Sequence, residues 1–124
     1  MTKHEYEKNF KNYYNDVKFA SPDKQYSFII KFIKYLIEGY DKKYVDISDI
    51  GAWVASTWLA LNCGDSENSD GLGIIISLGL KGDFFDQGEK RVKEEWGVSY
   101  EQAEREFISQ LRGLIEISKE DVVG

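Results

Sequence analysis

Carboxylates are the residues to weigh first, because few other groups in the chain could do chemistry. Glu94, Glu95, Glu101, Glu104 and Glu106 gather around a Trp96-Gly97 turn, and oxygen ligands of this kind are what a Mg²⁺ site is built from. Glu101 and Glu104 are three apart and share a helix face, but acids in a first helical turn are already explained by the helix dipole. The second oxygen-rich stretch is Gly64 to Gly71, GDSENSDG. If Ser66, Asn68 and Asp70 take positions 1, 3 and 5 of a calcium loop, Gly71 falls correctly at position 6. Position 12 is then Ser77 instead of a bidentate Glu, and position 1 is not an acid. The run reads as a solvated loop. Gly71-x-Gly73 completes neither phosphate-cradling glycine pattern. Cys63 is the only cysteine and His4 the only histidine. That excludes an intramolecular disulfide, the usual Cys/His zinc site and a Ser–His–Asp relay. Cys63, at the end of an apolar stretch, reads as a small buried hydrophobe. The sequence predicts no catalytic residue, no metal and no cofactor.

Charge then bears on partners. The formal net charge is −6, unevenly placed: residues 1–44 hold nine lysines against six acids, whereas residues 45–124 hold seven Lys or Arg against sixteen acids. An acidic majority argues against binding a phosphate backbone, which needs cations to replace counterions. It suits a basic protein partner, whose approach it would accelerate. Acidity also keeps a protein soluble without any partner. Met1 to Lys18 is charged throughout, with no apolar core of a signal peptide, and no run approaches the ~18 apolar residues of a membrane span. A cytoplasmic protein is the expectation.

The elements that must position these groups are legible from periodicity and punctuation. A chain of 124 residues is the size of one domain, 1–124, and seven Phe, eight Tyr and three Trp supply a large core. Tyr6, Phe10, Tyr13, Tyr14 and Val17 mark one face of a helix over Lys3 to Phe19. Ser21-Pro22-Asp23 starts a second helix, stopped near Glu38 by Gly39. It is the most apolar element, with Phe28, Ile29, Ile30, Phe32, Ile33, Tyr35, Leu36 and Ile37, and belongs at the centre of the fold. Asp46 or Ser48 caps a third helix over Asp49 to Asn62, where Ile50, Trp53, Val54, Thr57, Trp58 and Leu61 face the core and Ala52, Ala55 and Ala60 admit a neighbour. Trp53 and Trp58, five apart, cannot both point inward. Leu72 to Leu80, LGIIISLGL, fits a buried helix or a buried strand; helix is favoured because nothing convincing could pair with it. Asp83 starts a further helix stopped by Gly97. Ser99 and Gln102 form a capping box for the last, whose core face is Ala103, Phe107, Leu111, Leu114 and Ile115. The expectation is an all-α, compact bundle of five to six helices in a single domain.

Glu94-Glu95-Trp96-Gly97-Val98-Ser99-Tyr100-Glu101-Gln102-Ala103 joins two helices through an acidic turn. With the size, acidity and lack of catalytic groups, it makes the chain similar to bacterial toxin-immunity proteins of the colicin and contact-dependent-inhibition type. The resemblance is one of overall character. It implies a protein without enzymatic activity that covers the basic active site of a nuclease toxin. The alternatives are a regulatory or adaptor helical domain, of phage or host, that binds a non-nuclease partner or self-associates, and, third, a carboxylate-and-metal enzyme. The expected partner surface is acidic and lies in or beside turns: Asp70, Asp83, Asp86, Glu94, Glu95 and Trp96. Trp96 is read either as an interface anchor or as a plug at a helix end. If these acids only solubilise the surface, the interface shifts to Lys3 to Asn15 and the turn at Tyr40 to Tyr44.

Overall fold

The computed structural model describes residues 2–59 and 69–123, with side chains described for 2–21, 24–59 and 76–116. Among the described residues the chain is all-α, with seven helices and no strand: α1 (Lys3–Lys8), α2 (Phe10–Phe19), α3 (Pro22–Asp41), α4 (Ile47–Leu59), α5 (Ser69–Gln87), α6 (Glu89–Trp96) and α7 (Tyr100–Val123). No helix of the described residues is long and apolar enough to cross a membrane. Cys63 and the end of the third expected helix lie outside the described residues.

The first expected helix is two helices in line, interrupted only at Asn9, whose N–H bonds back to the Tyr6 carbonyl at 3.2 Å. Tyr6 and Tyr35 tie α1 to α3 reciprocally. The Tyr6 hydroxyl donates to the Tyr35 carbonyl at 2.9 Å, the Tyr35 hydroxyl donates to the Tyr6 carbonyl at 2.7 Å, and the two rings stack at 4.3 Å. Burial of Tyr6 pushes its phenol well above the ordinary tyrosine range.

Helix α3 is central, as its apolar run predicts: Ile29, Phe32, Ile33, Tyr35, Leu36 and Ile37 are buried. It does not end at Gly39. A Cβ there would lie 2.1 Å from the Tyr6 hydroxyl oxygen, so this glycine serves the approach of α1 instead of stopping α3. The terminator is Lys43, held at φ 64°. The Tyr44 N–H reaches the Gly39 carbonyl at 2.8 Å and the Lys43 N–H the Tyr40 carbonyl at 3.1 Å, the paired bonds of a Schellman helix end. In this motif the left-handed position is normally glycine.

Helix α4 starts two residues earlier than expected, behind Asp46, whose carboxylate accepts the Asp49 N–H at 2.9 Å. Ile50, Val54, Ala55 and Thr57 are buried, while Trp53 and Trp58 are both half-buried, so neither indole is wholly core. Leu72 to Leu80 is helical, and Ser69, Asp70 and Gly71 also fall within α5. Asp83 starts no helix; it lies inside α5, which runs on to a break at Gly88 (φ 121°). Helices α4 and α5 approach closely where glycines meet. A Cβ on Gly51 would sit 2.5 Å from the Gly82 carbonyl oxygen, and one on Gly82 would sit 2.6 Å from that of Gly51. Gly97 stops α6 at φ 67°, and Ser99 accepts the Gln102 N–H at 3.2 Å. The Gln102 side chain donates to Glu106 at 3.4 Å instead of returning to the cap, so the expected capping box is half made. Ala103, Phe107, Leu111, Leu114 and Ile115 of α7 close the core.

Candidate functional site

Of the residues expected to form the partner surface, Asp83, Asp86, Glu94, Glu95 and Trp96 lie around the end of α5 and along α6, and Asp70 lies apart from them. Asp70 lies in the first turn of α5. Asp83 accepts a hydrogen bond from the Gln87 side chain at 2.6 Å, and Asp86 and Glu94 are exposed. Glu95 pairs with Arg91 at 2.8 Å and Glu89 with Lys93 at 3.3 Å, each one turn apart. Helix α6, EKRVKEEW, therefore carries three acids and three bases, and two of its acids are matched within it. Trp96 is half-buried and lies 6.0 Å from the buried Phe85 ring, with the Lys81 ammonium 5.4 Å from its centroid. Its Nε1 is buried and has no hydrogen-bond partner.

A different corner has concave geometry. The start of α1, the end of α3, the turn into α4 and the N-terminal part of α7 surround an open cleft of about 580 Å³. Its walls include Lys3, Tyr40, Asp41, Lys43, Tyr44, Asp46, Asp49 and Glu104. Each is placed by a local rule. Tyr40 and Asp41 are in the last turn of α3, and the left-handed Lys43 turns the chain so that Tyr44 and Asp46 follow round the same concavity. Asp46 and Asp49 hold one another's backbone reciprocally: the Asp46 N–H donates to the Asp49 carboxylate at 3.3 Å, completing the cap on α4. Glu104 comes from α7 and accepts the Tyr40 hydroxyl at 2.5 Å.

The electrostatics differ from group to group. Burial raises the Asp49 carboxyl above the usual carboxylate range, outweighing the backbone bond from Asp46 that lowers it. Burial, and then the bond to Glu104, push the Tyr40 phenol up to about 12. Asp41 is held below the usual range because Arg112 of α7 donates to both its oxygens, at 2.5 and 3.2 Å. One of the four carboxylates is thus neutralised from within and another receives a phenol. The pair at the start of α4, both exposed, holds the backbone of that turn. Among the described residues no group of three or more His, Cys, Asp or Glu is disposed to hold a metal.

The turn at Tyr40 to Tyr44 and Lys3 stand out in the sequence only as the second choice for an interface. Glu104 reads there as a dipole-stabilising acid of a first turn. The separation of α3 from α7 along the chain hides its bond to Tyr40. The one local signal is the Asp46/Asp49 spacing, which announces a cap and says nothing of a cleft. No protein-family model matches the chain, and no curated protein or solved structure is significantly similar to it.

Proposed function

We propose that the chain is an acidic protein-binding domain, and that its cleft receives cationic side chains of a basic partner. A nuclease toxin, neutralised by an immunity protein that covers its active site, is the partner class this charge distribution fits. The observation that carries the reading is the convergence of Asp46, Asp49 and Glu104 with the Tyr40 and Tyr44 side chains on one concavity. Two of the three acids of α6, by contrast, are matched by its own bases. A volume of about 580 Å³ suits a few side chains or a short segment. An arginine entering it would find carboxylate acceptors and aromatic faces together. That combination strengthens a charged hydrogen bond and adds cation–π attraction of roughly 0.5–2 kcal/mol. Long-range attraction from the acidic majority of the chain would speed the encounter.

The test uses a hexa-arginine peptide as the probe, followed by co-expression with a nuclease toxin domain encoded beside the chain. Binding should weaken steeply with salt and fall in Asp49→Asn and Glu104→Gln, and the same variants should lose protection of cells. Binding kept by both variants and lost on Glu94→Lys/Glu95→Lys would place the contact at the α6 corner. No binding and no protection by the unaltered chain would withdraw the reading. Salt-independent binding to another protein would favour a regulatory or adaptor domain.

A further inference from the structure

We infer that Lys3 is a tethered competitor for the cleft: carried on α1, it offers the acidic wall a cation that a partner's side chain must displace. This rests on the cleft being the partner site. The carboxylates around the cleft are committed, and Lys43 is the other cation that lines it. Asp41 is forked by Arg112, Glu104 accepts the Tyr40 hydroxyl, and Asp46 and Asp49 hold the start of α4. Lys3 is different. Its side chain is 65% exposed, and its ion pair, to Glu7, is 4.0 Å long, at the limit of contact between two exposed groups. An interaction of that kind contributes little, so the ammonium is free to lean toward the cleft that it lines. Its charge already acts on Asp49, drawing that carboxyl down against the rise imposed by burial.

The helix that carries it is held in place. The reciprocal Tyr6–Tyr35 bonds and the seat of Tyr6 against Gly39 fix α1 on α3. A cation on so short a tether has a high effective concentration at the wall it faces. A long lysine stem can nevertheless swing away without moving the backbone. The arrangement keeps the cleft partly satisfied while empty and yields to a guanidinium, which can bond two acceptors at once.

The experiment measures hexa-arginine affinity for the full chain and for Lys3→Gln, with Lys42→Gln as the control. Lys42 is exposed beside the cleft but does not line it, and its substitution changes net charge equally. Lys3→Gln should tighten binding by about two- to fivefold at low salt, the range of a single exposed ion pair. Lys42→Gln should change it less, and the difference should vanish near 1 M salt, where screening acts within about 3 Å. Equal effects of the two substitutions would overturn the inference, as would weaker binding by Lys3→Gln. If Asp49→Asn weakens peptide binding while Lys3→Gln leaves it unchanged, the cleft reading stands and this inference fails. If neither the unaltered chain nor Lys3→Gln binds, both fail.

Discussion

Among the described residues, two helices end in the left-handed conformation, α3 at Lys43 (φ 64°) and α6 at Gly97 (φ 67°). Glycine adopts that geometry freely, whereas a residue with a Cβ is strained there by roughly 1–2 kcal/mol. The strain therefore sits beside the cleft, and the relaxed end sits at the α6 corner. Charge divides the two places in the same sense. Around α6, Glu95 and Glu89 are answered one turn away by Arg91 and Lys93. Around the cleft, acids from three helices and a turn face a concavity, and a single bidentate arginine answers one of them. A count of acids along the chain does not distinguish these cases, because compensation depends on which side chains meet in space.

The largest expected effect tests the claim that the α6 corner is packing. Phe85 is fully buried, with rings of Phe107 at 5.1 Å, Tyr100 at 5.7 Å and Trp96 at 6.0 Å around it. Phe85→Ala should cost about 3–5 kcal/mol in chemical denaturation. A loss below ~1 kcal/mol would mean the corner is not built on that ring.

The cleft should in turn announce itself at high pH. The Tyr40 phenol stays protonated to about 12 in the fold, while an unfolded tyrosine ionises near 10. The unfolded chain therefore releases its proton first. Stability is fully present below pH 10 and falls as pH rises from 10 toward about 12. Tyr6 and Tyr13, also raised by burial, act in the same direction. Tyr40→Phe should flatten part of this decline in melting temperature measured against pH; an unchanged slope would contradict the Tyr40–Glu104 bond.

The helix ends allow a matched pair of substitutions. Lys43→Gly should stabilise the protein by about 1 kcal/mol, and Gly97→Ala should destabilise it by a similar amount. If Lys43→Gly stabilises the fold yet weakens hexa-arginine binding, the shape of the turn matters to the cleft; equal stability in both variants would remove the contrast. Smallest of all, Glu94→Lys, on an exposed side chain of α6, should shift stability within about 0.5 kcal/mol and leave peptide binding nearly unchanged.

Much of the fold was legible in the sequence because helix periodicity and chain punctuation are local. The faces built on Tyr6, Phe10 and Val17 and on Ala103, Phe107 and Leu111 follow directly from spacing, and all six residues are buried. Errors arose where a residue serves a distant neighbour. Gly39 looked like a stop and instead admits Tyr6, and Gly51 and Gly82 admit each other's backbone. Asp83 looked like a start because it is an acid ahead of an aromatic pair, but its helix continues through it. The cleft was least legible, since its walls come from α1, α3, α4 and α7, and only the stretch Lys3 to Asn15 and the turn at Tyr40 to Tyr44 stand out in the sequence, as an alternative interface. Pairing within α6 could have been read from the sequence: Glu89/Lys93 and Arg91/Glu95 are both four apart.

The most direct measurement is a ¹⁵N NMR titration of the full chain with hexa-arginine peptide at low salt. Shifts should concentrate at Lys3, from Tyr40 to Asp49 and around Glu104, with Asp86 and Glu89–Trp96 nearly still. Shifts confined to Asp83–Trp96, with the cleft silent, would contradict this and place the partner surface at the acidic turn instead.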